Sequence, residues 1–207
     1  IVLGIMIFDL QGAQGAVLQM VNHGIVVAAA FAIVGMISRG TGTDLIDDIG
    51  GLAARAPRLA GIFLVVTMAA LAVPGSNAFV GEFFILSGVF RHEVWLAVLA
   101  CIGILYAAVY MLRLYQTTMN GPLRGVAALP GVGRAVEVRA RDAVVLVPLV
   151  LAMLAIALWP NGIVRDTRPS LERALAPAQI AAGRPADQIR AGVPVNPPAA
   201  SLPGAQP

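Results

Sequence analysis

The chain has 207 residues, of which 58% are hydrophobic and 12% charged, with 14 basic and 11 acidic side chains and a formal net charge of +3. Soluble domains carry about 25% charged residues, so with a mean hydropathy of +0.84 a water-exposed globule is excluded. A wholly disordered chain is excluded too, and the single cysteine excludes a disulfide framework. All basic residues are Arg and they lie between apolar stretches rather than in one patch. That distribution fits loop charge flanking membrane spans and does not indicate a nucleic-acid partner.

A membrane helix needs about 20 consecutive apolar residues. No formally charged side chain occurs from Leu10 to Ser38, from Val94 to Leu112 or from Ala143 to Val164, and Glu82 alone interrupts Leu59 to Phe90. The expected fold class is therefore all-α, a polytopic transmembrane helix bundle embedded in the lipid bilayer.

In chain order, residues 1–8 read as the last turns of a helix. A start in mid-hydrophobic sequence without Met suggests the C-terminal piece of a longer protein. Residues 9–14 read as a polar turn broken at Gly12, and residues 15–37 as a span carrying Gln19, Asn22 and His23. In the following connection, residues 38–58, the side chains of Leu45, Ile49 and Leu52 suggest one amphipathic turn lying at the membrane interface. Pro57 marks the next helix start.

Residues 59–90 are too long for one straight span: at 1.5 Å per residue they would reach about 48 Å across a core of about 30 Å. The sequence Val73-Pro74-Gly75-Ser76-Asn77 supplies a break, because Pro removes a backbone hydrogen bond and clashes with the preceding turn. A discontinuous helix near Pro74 and Gly75 is tolerated at membrane depth only where protein or a water-filled cavity covers the freed backbone groups. Helices broken in this way mark transport sites in many ion carriers.

Residues 94–118 form the next expected span, with Tyr106, Tyr110 and Tyr115 as an interface belt and Cys101 as a small buried hydrophobe. Residues 143–159 form the last, stopped by Pro160-Asn161-Gly162, with Trp95 and Trp159 as interface anchors. Gly12, Gly15 and the run Gly40 to Gly42 read as turns. The organisation is thus a transmembrane part, 1–164, and a Pro- and Ala-rich tail, 165–207, with too little to bury and disordered at its end.

The Arg residues set an orientation. Arg39, Arg55 and Arg58 lie in one connection and Arg113, Arg124, Arg134, Arg139 and Arg141 in another, whereas Arg91 alone marks the opposite side before the tail. The two basic connections are expected in the cytoplasm.

Two titratable groups fall inside expected spans, Glu82 and His23. Intramembrane ionisable residues are costly and by default functional. A carboxyl group whose surroundings alternate between apolar and hydrated can change protonation when a neighbour moves, as a proton relay requires. Arg cannot act as a relay step because it is effectively never deprotonated, and the chain has no Lys. The candidate carriers are then Glu82 and His23, bridged by water or by the polar path Gln19, Asn22, Ser76 and Asn77. The other readings are that His23 hydrogen-bonds a neighbouring helix and that Glu82 pairs with an Arg. No metal-ligand cluster and no phosphate-cradling loop is found.

The runs FDLQGAQGAVLQMVNHGIVVAAAFAIVGM (Phe8 to Met36), IGGLAARAP (Ile49 to Pro57), LAVPGSNAFVGEFFIL (Leu71 to Leu86) and YAAVYMLRLYQTTMNGP (Tyr106 to Pro122) resemble the C-terminal part of the subunit M family of proton-pumping NADH-quinone oxidoreductase, respiratory complex I. The resemblance covers about residues 1 to 160. It implies an antiporter-like membrane subunit of the cell inner (plasma) membrane that couples electron transfer from NADH to quinone to proton pumping. It places the family's terminal proton-channel Glu on Glu82 and its axial His on His23. It also implies that flavin and iron-sulfur clusters reside in partner subunits, with no cofactor in this chain, and that the partners are other membrane-arm subunits, adjacent antiporter-like ones included. The alternatives are a subunit of a multisubunit cation/proton antiporter or membrane-bound hydrogenase, and a non-pumping structural subunit.

Overall fold

In the computed structural model the described residues are 1–181. Among them eight α-helices follow one another: α1 (Val2–Met6), α2 (Leu10–Thr41), α3 (Pro57–Ala70), α4 (Asn77–His92), α5 (Val94–Met119), α6 (Val132–Val136), α7 (Ala140–Leu158) and α8 (Asn161–Ala181). Two short strands, β1 (Ile49–Gly50) and β2 (Arg124–Gly125), pair antiparallel with Ile49 opposite Gly125. Helices α2, α5 and α7 are each long and apolar enough to cross a membrane.

Helix α2 is the spine of the bundle. Asp9 starts it, its Oδ2 accepting from the amides of Gln11 and Gly12 at 3.0 and 3.1 Å. The polar residues 9–14 are therefore the cap and first turn of the helix, and the expected break at Gly12 does not occur. Gly42 ends it at φ +74, its amide donating to the Ser38 carbonyl at 2.8 Å. Of the glycines expected in turns, Gly42 alone serves as one; Gly12, Gly15 and Gly40 lie inside α2.

The span over residues 59–90 is interrupted as its length demands. Helix α3 stops at Ala70, the chain passes through left-handed backbone at Ala72 (φ +48) and Gly75 (φ +97), and α4 begins at Asn77. The two halves stack along α2. One core, built on Val26, Ile33 and Met36 of α2, closes on Leu59, Phe63 and Val66 of α3. The other half of α2 meets α4 through glycine: a Cβ on Gly15 would lie 2.7 Å from the Ile85 amide nitrogen and 2.8 Å from the Gly81 carbonyl oxygen. In lipid no hydrophobic force drives helices together, so small residues that let backbones approach supply the contact.

The two basic connections meet at one end of the bundle, here the loop end. Ile49 and Leu52 are buried in the main core while Leu45 is exposed, so residues 45–52 do not form an amphipathic turn at the membrane surface. The β1–β2 pairing, made with a segment far along the chain, holds them under the loops instead. Glu137 adds a second tie by capping α3 from outside: its carboxylate accepts from the amides of Leu59 at 3.1 Å and Arg58 at 3.4 Å.

Helix α5 packs through Ala97 near its start and Thr118 and Met119 near its end. Its middle faces outward, so Cys101 is exposed and not buried as expected. Tyr106 and Tyr110 are outward as well. Tyr115 instead turns in, donating to the Ala60 carbonyl at 3.3 Å and packing on Phe63 at 5.5 Å between ring centroids. Residues 165–181, expected to open the tail, belong to the helix α8 (Asn161–Ala181) at the opposite, tail end. It is held to the bundle because Leu175 and Gln179 are buried and the Gln179 amide donates to the Phe8 carbonyl at 3.4 Å. The expected disorder at the chain end concerns 182–207, outside the described residues.

Candidate functional site

Helices α2 and α4 run antiparallel, and opposed residues follow one another along the seam. At the tail end Asp9 Oδ1 lies 3.8 Å from His92 Nε2. Gly12 then faces Gly88 and Gly15 faces Gly81 and Ile85. Next, the Gln19 side-chain amide donates to Glu82 Oε1 at 3.2 Å. Beside the helix break, the Asn22 amide donates to the Asn77 backbone carbonyl at 2.7 Å and the Asn77 amide donates to Asn22 Oδ1 at 3.1 Å.

Gln19 stands ten residues beyond Asp9, about 15 Å along the helix, which is near the middle of a core of about 30 Å. Asn22 and Asn77 are fully buried, Gln19 nearly so, and Glu82 is half-buried. Between the Asp9–His92 pair and this segment the seam packs through Gly12, Gly15, Gly81, Ile85 and Gly88, and buried polar groups in such packing are costly unless hydrogen-bonded. Several of its oxygens have no hydrogen-bond partner among the described residues: Gln19 Oε1, Asn77 Oδ1 and the Ser76 hydroxyl, with the Thr67 hydroxyl of α3 in the same condition. Ser76 occupies the N-cap position of α4, yet its hydroxyl does not cap the helix. Buried oxygens of this kind take their hydrogen bonds from water.

The structure thus brings together four expected residues, Glu82 with Gln19 and Asn22 with Asn77, and places Ser76, Pro74 and Gly75 at the adjoining break. It does not bring in His23, which is exposed. At 3.6 residues per turn, the residue after an inward Asn22 is rotated about 100° away from the seam. Nor, among the described residues, does any Arg pair with Glu82. Thr67, Asp9 and His92 escaped the sequence reading. Asp9 could have been found, since Asp immediately before an apolar run is a helix-cap signal. Among the described residues no group of three or more His, Cys, Asp or Glu could hold a metal ion.

Residues 1–107 match the family described as NADH:quinone oxidoreductase/Mrp antiporter, TM. The chain is 34% identical over 175 residues to NADH-quinone oxidoreductase subunit M of Mycobacterium tuberculosis, covering 84% of this chain and 31% of that protein. It is 30% identical to the subunit M of Rickettsia conorii, covering 84% of this chain and 35% of that one. The chain therefore spans about a third of the length of these curated relatives. A solved structure, respiratory complex I from Thermus thermophilus with bound NADH, contains a chain of which 35% superimposes on 84% of this one with a TM-score of 0.72 at 28% identity. The discontinuous helix, the all-helical bundle and these matches have one meaning: the chain belongs to the NADH:quinone oxidoreductase/Mrp antiporter transmembrane family.

Proposed function

We propose that the chain forms the C-terminal part of a proton-translocating subunit of NADH:quinone oxidoreductase in the cell inner (plasma) membrane. Electron transfer from NADH to quinone takes place in partner subunits, which hold the flavin and iron-sulfur clusters. The other membrane-arm subunits, including adjacent antiporter-like ones, complete the proton path.

The observation that carries this reading is the Gln19 amide on the Glu82 carboxyl group, half-buried beside an interrupted helix. Gln19 can serve both protonation states. Its Nε2 donates to the carboxylate, and after a half-turn of the amide its Oε1, which has no partner among the described residues, accepts from the neutral acid. The hydrogen bond between Gln19 and Glu82 is therefore kept whether Glu82 is charged or neutral. Ser76, Asn77 and Asn22 continue the polar route to the break in the helix. His23, the other proposed carrier, stands on the outward face of α2, away from Glu82.

The test is Glu82→Gln in the full-length subunit within its complex, scored for protons moved per NADH oxidised and for assembly on native gels. The expected outcome is an assembled complex with lowered proton yield. An unchanged yield would overturn the role of Glu82. The family description also names the Mrp antiporters, and purification without NADH oxidation but with cation/proton exchange would move the assignment there.

A further inference from the structure

A second site lies at the loop end, on the opposite third of α2 from the polar seam. Between α2 and the first turns of α7 is a cavity of about 600 Å³, with Phe31 and Gly35 on one wall and Val145 and Leu146 on the other. Its mouth carries Arg39 and Arg141, and an adjoining cavity of about 100 Å³, bordered by the same two residues, adds Arg139. Ligand sites commonly enclose about 300 to 1,000 Å³.

The residues lining the two cavities include three Arg side chains and one carboxylate, Asp142, which takes the guanidinium groups of Arg39 and Arg141 on one oxygen and the Arg139 backbone amide at 3.2 Å on the other. Asp142 Oδ1 lies 3.4 Å from Arg39 Nη2 and 3.8 Å from Arg141 Nε, so one anion is shared and positive charge remains in excess. Each guanidinium keeps most of its five N–H donors free, and the planar fork matches a phosphate. Phe31 precedes Arg39 by eight residues and so lies about 12 Å deeper along α2. The groove is basic at the rim and apolar below, with Phe31 and Val145 exposed. A protein segment seated there would have to bring its own carboxylates; an anionic lipid brings the charge and the chain together.

We propose that this groove binds an anionic phospholipid, with the phosphate held by Arg39 and Arg141 and an acyl chain laid along Phe31, Gly35 and Val145. Basic pockets between transmembrane helices on the cytoplasmic side recognise such headgroups. Gly35 leaves the room for the chain, because a Cβ there would meet nothing within 4 Å.

The experiment uses the full-length subunit in its purified, partly delipidated complex and a phosphatidylglycerol carrying a photoreactive group in its acyl chain. Crosslinks are expected on residues 31–36 and 145–146, displaced by unlabelled phosphatidylglycerol and not by phosphatidylcholine. Arg39→Gln and Arg141→Gln should each lower labelling about fivefold, the scale expected per basic side chain near an anionic headgroup. Gly35→Leu should block it by filling the groove. Equal displacement by phosphatidylcholine or by water-soluble glycerol phosphate would overturn the proposal, as would labelling elsewhere or a crosslink from position 31 to a protein segment. The competition arms need no variant, so they decide the matter even if a substitution prevents assembly.

Discussion

Asn22 and Asn77 hold each other by two hydrogen bonds, one from the Asn22 amide to the Asn77 backbone carbonyl at 2.7 Å and one from the Asn77 amide to Asn22 Oδ1 at 3.1 Å. The backbone carbonyl belongs to the first residue of α4, so α2 fixes the place where the interrupted span resumes its helix. Truncating Asn22 removes both bonds, whereas truncating Asn77 removes the donor to Asn22 Oδ1 and leaves the bond to its backbone carbonyl, and each change leaves a buried polar atom without its partner.

A double-mutant cycle on Asn22→Ala and Asn77→Ala should therefore be non-additive. Interhelical pairs in membranes couple by about 0.6 kcal/mol on average and up to about 1.7 kcal/mol, and a buried reciprocal pair belongs at the upper end. Unfolding of the purified complex in mixed micelles reads this; strictly additive losses would show that the pair contributes nothing of its own.

Gln19→Leu removes the donor to Glu82 while keeping a helix-compatible side chain. Proton yield per NADH should fall in assembled complex, and adding Gln19→Leu to Glu82→Gln should lower it no further, because groups that act as a unit are not additive. Two independent, additive losses would separate Gln19 from the carboxyl chemistry.

The glycine contacts along the seam predict opposite outcomes at two positions of one helix. Gly15→Leu drives a side chain into α4, where the Phe84 Cβ and the Ile85 amide nitrogen are each 2.7 Å from a Cβ at that position. Overpacking of this kind costs about 1 to 3 kcal/mol or more. Gly24 faces open space, so Gly24→Ala should be neutral or stabilise by up to about 1 kcal/mol through helix propensity. Thermal denaturation of the assembled complex compares them, and equal stability of the two variants would contradict the packing described.

Glu137→Ala uncaps α3 from a distance of nearly eighty residues in sequence. Losing a helix cap costs about 0.5 to 2 kcal/mol, and the change should appear as faster hydrogen exchange at Arg58 and Leu59 and in the β1–β2 pairing. Unaltered exchange there would show that the carboxylate is replaceable by water.

The sequence displayed the interrupted span plainly, because a stretch from Leu59 to Phe90 exceeds the membrane core and Pro74-Gly75 offers a place to break it. Glu82 was legible for a related reason: it is the one carboxylate inside an apolar stretch. The glycines were not. A Gly before an apolar run signals a turn as readily as a close approach, and only α4, seventy residues away, decides that Gly12 and Gly15 belong to a seam. His23 suffered the same ambiguity, since a helix shows which residues share a face but not which face has a partner. Residues 45–52 were misread because their pairing partner, residues 124–125, lies far along the chain. In residues 161–181, Pro169 and Pro177 obscured the helical spacing of Ile163, Leu171 and Leu175.

The division of α2 between its two partners has a mechanical consequence. One rigid rod carries α4 on one half and α3 on the other, and α3 is clamped again at the loop end by Glu137. Relative displacement of these halves has nowhere to be absorbed except in residues 71–76, where Ala72 and Gly75 already stand in left-handed backbone. That compliant joint adjoins Asn77 and lies within two turns of Glu82, so strain arriving from either end of the bundle is delivered to the polar segment.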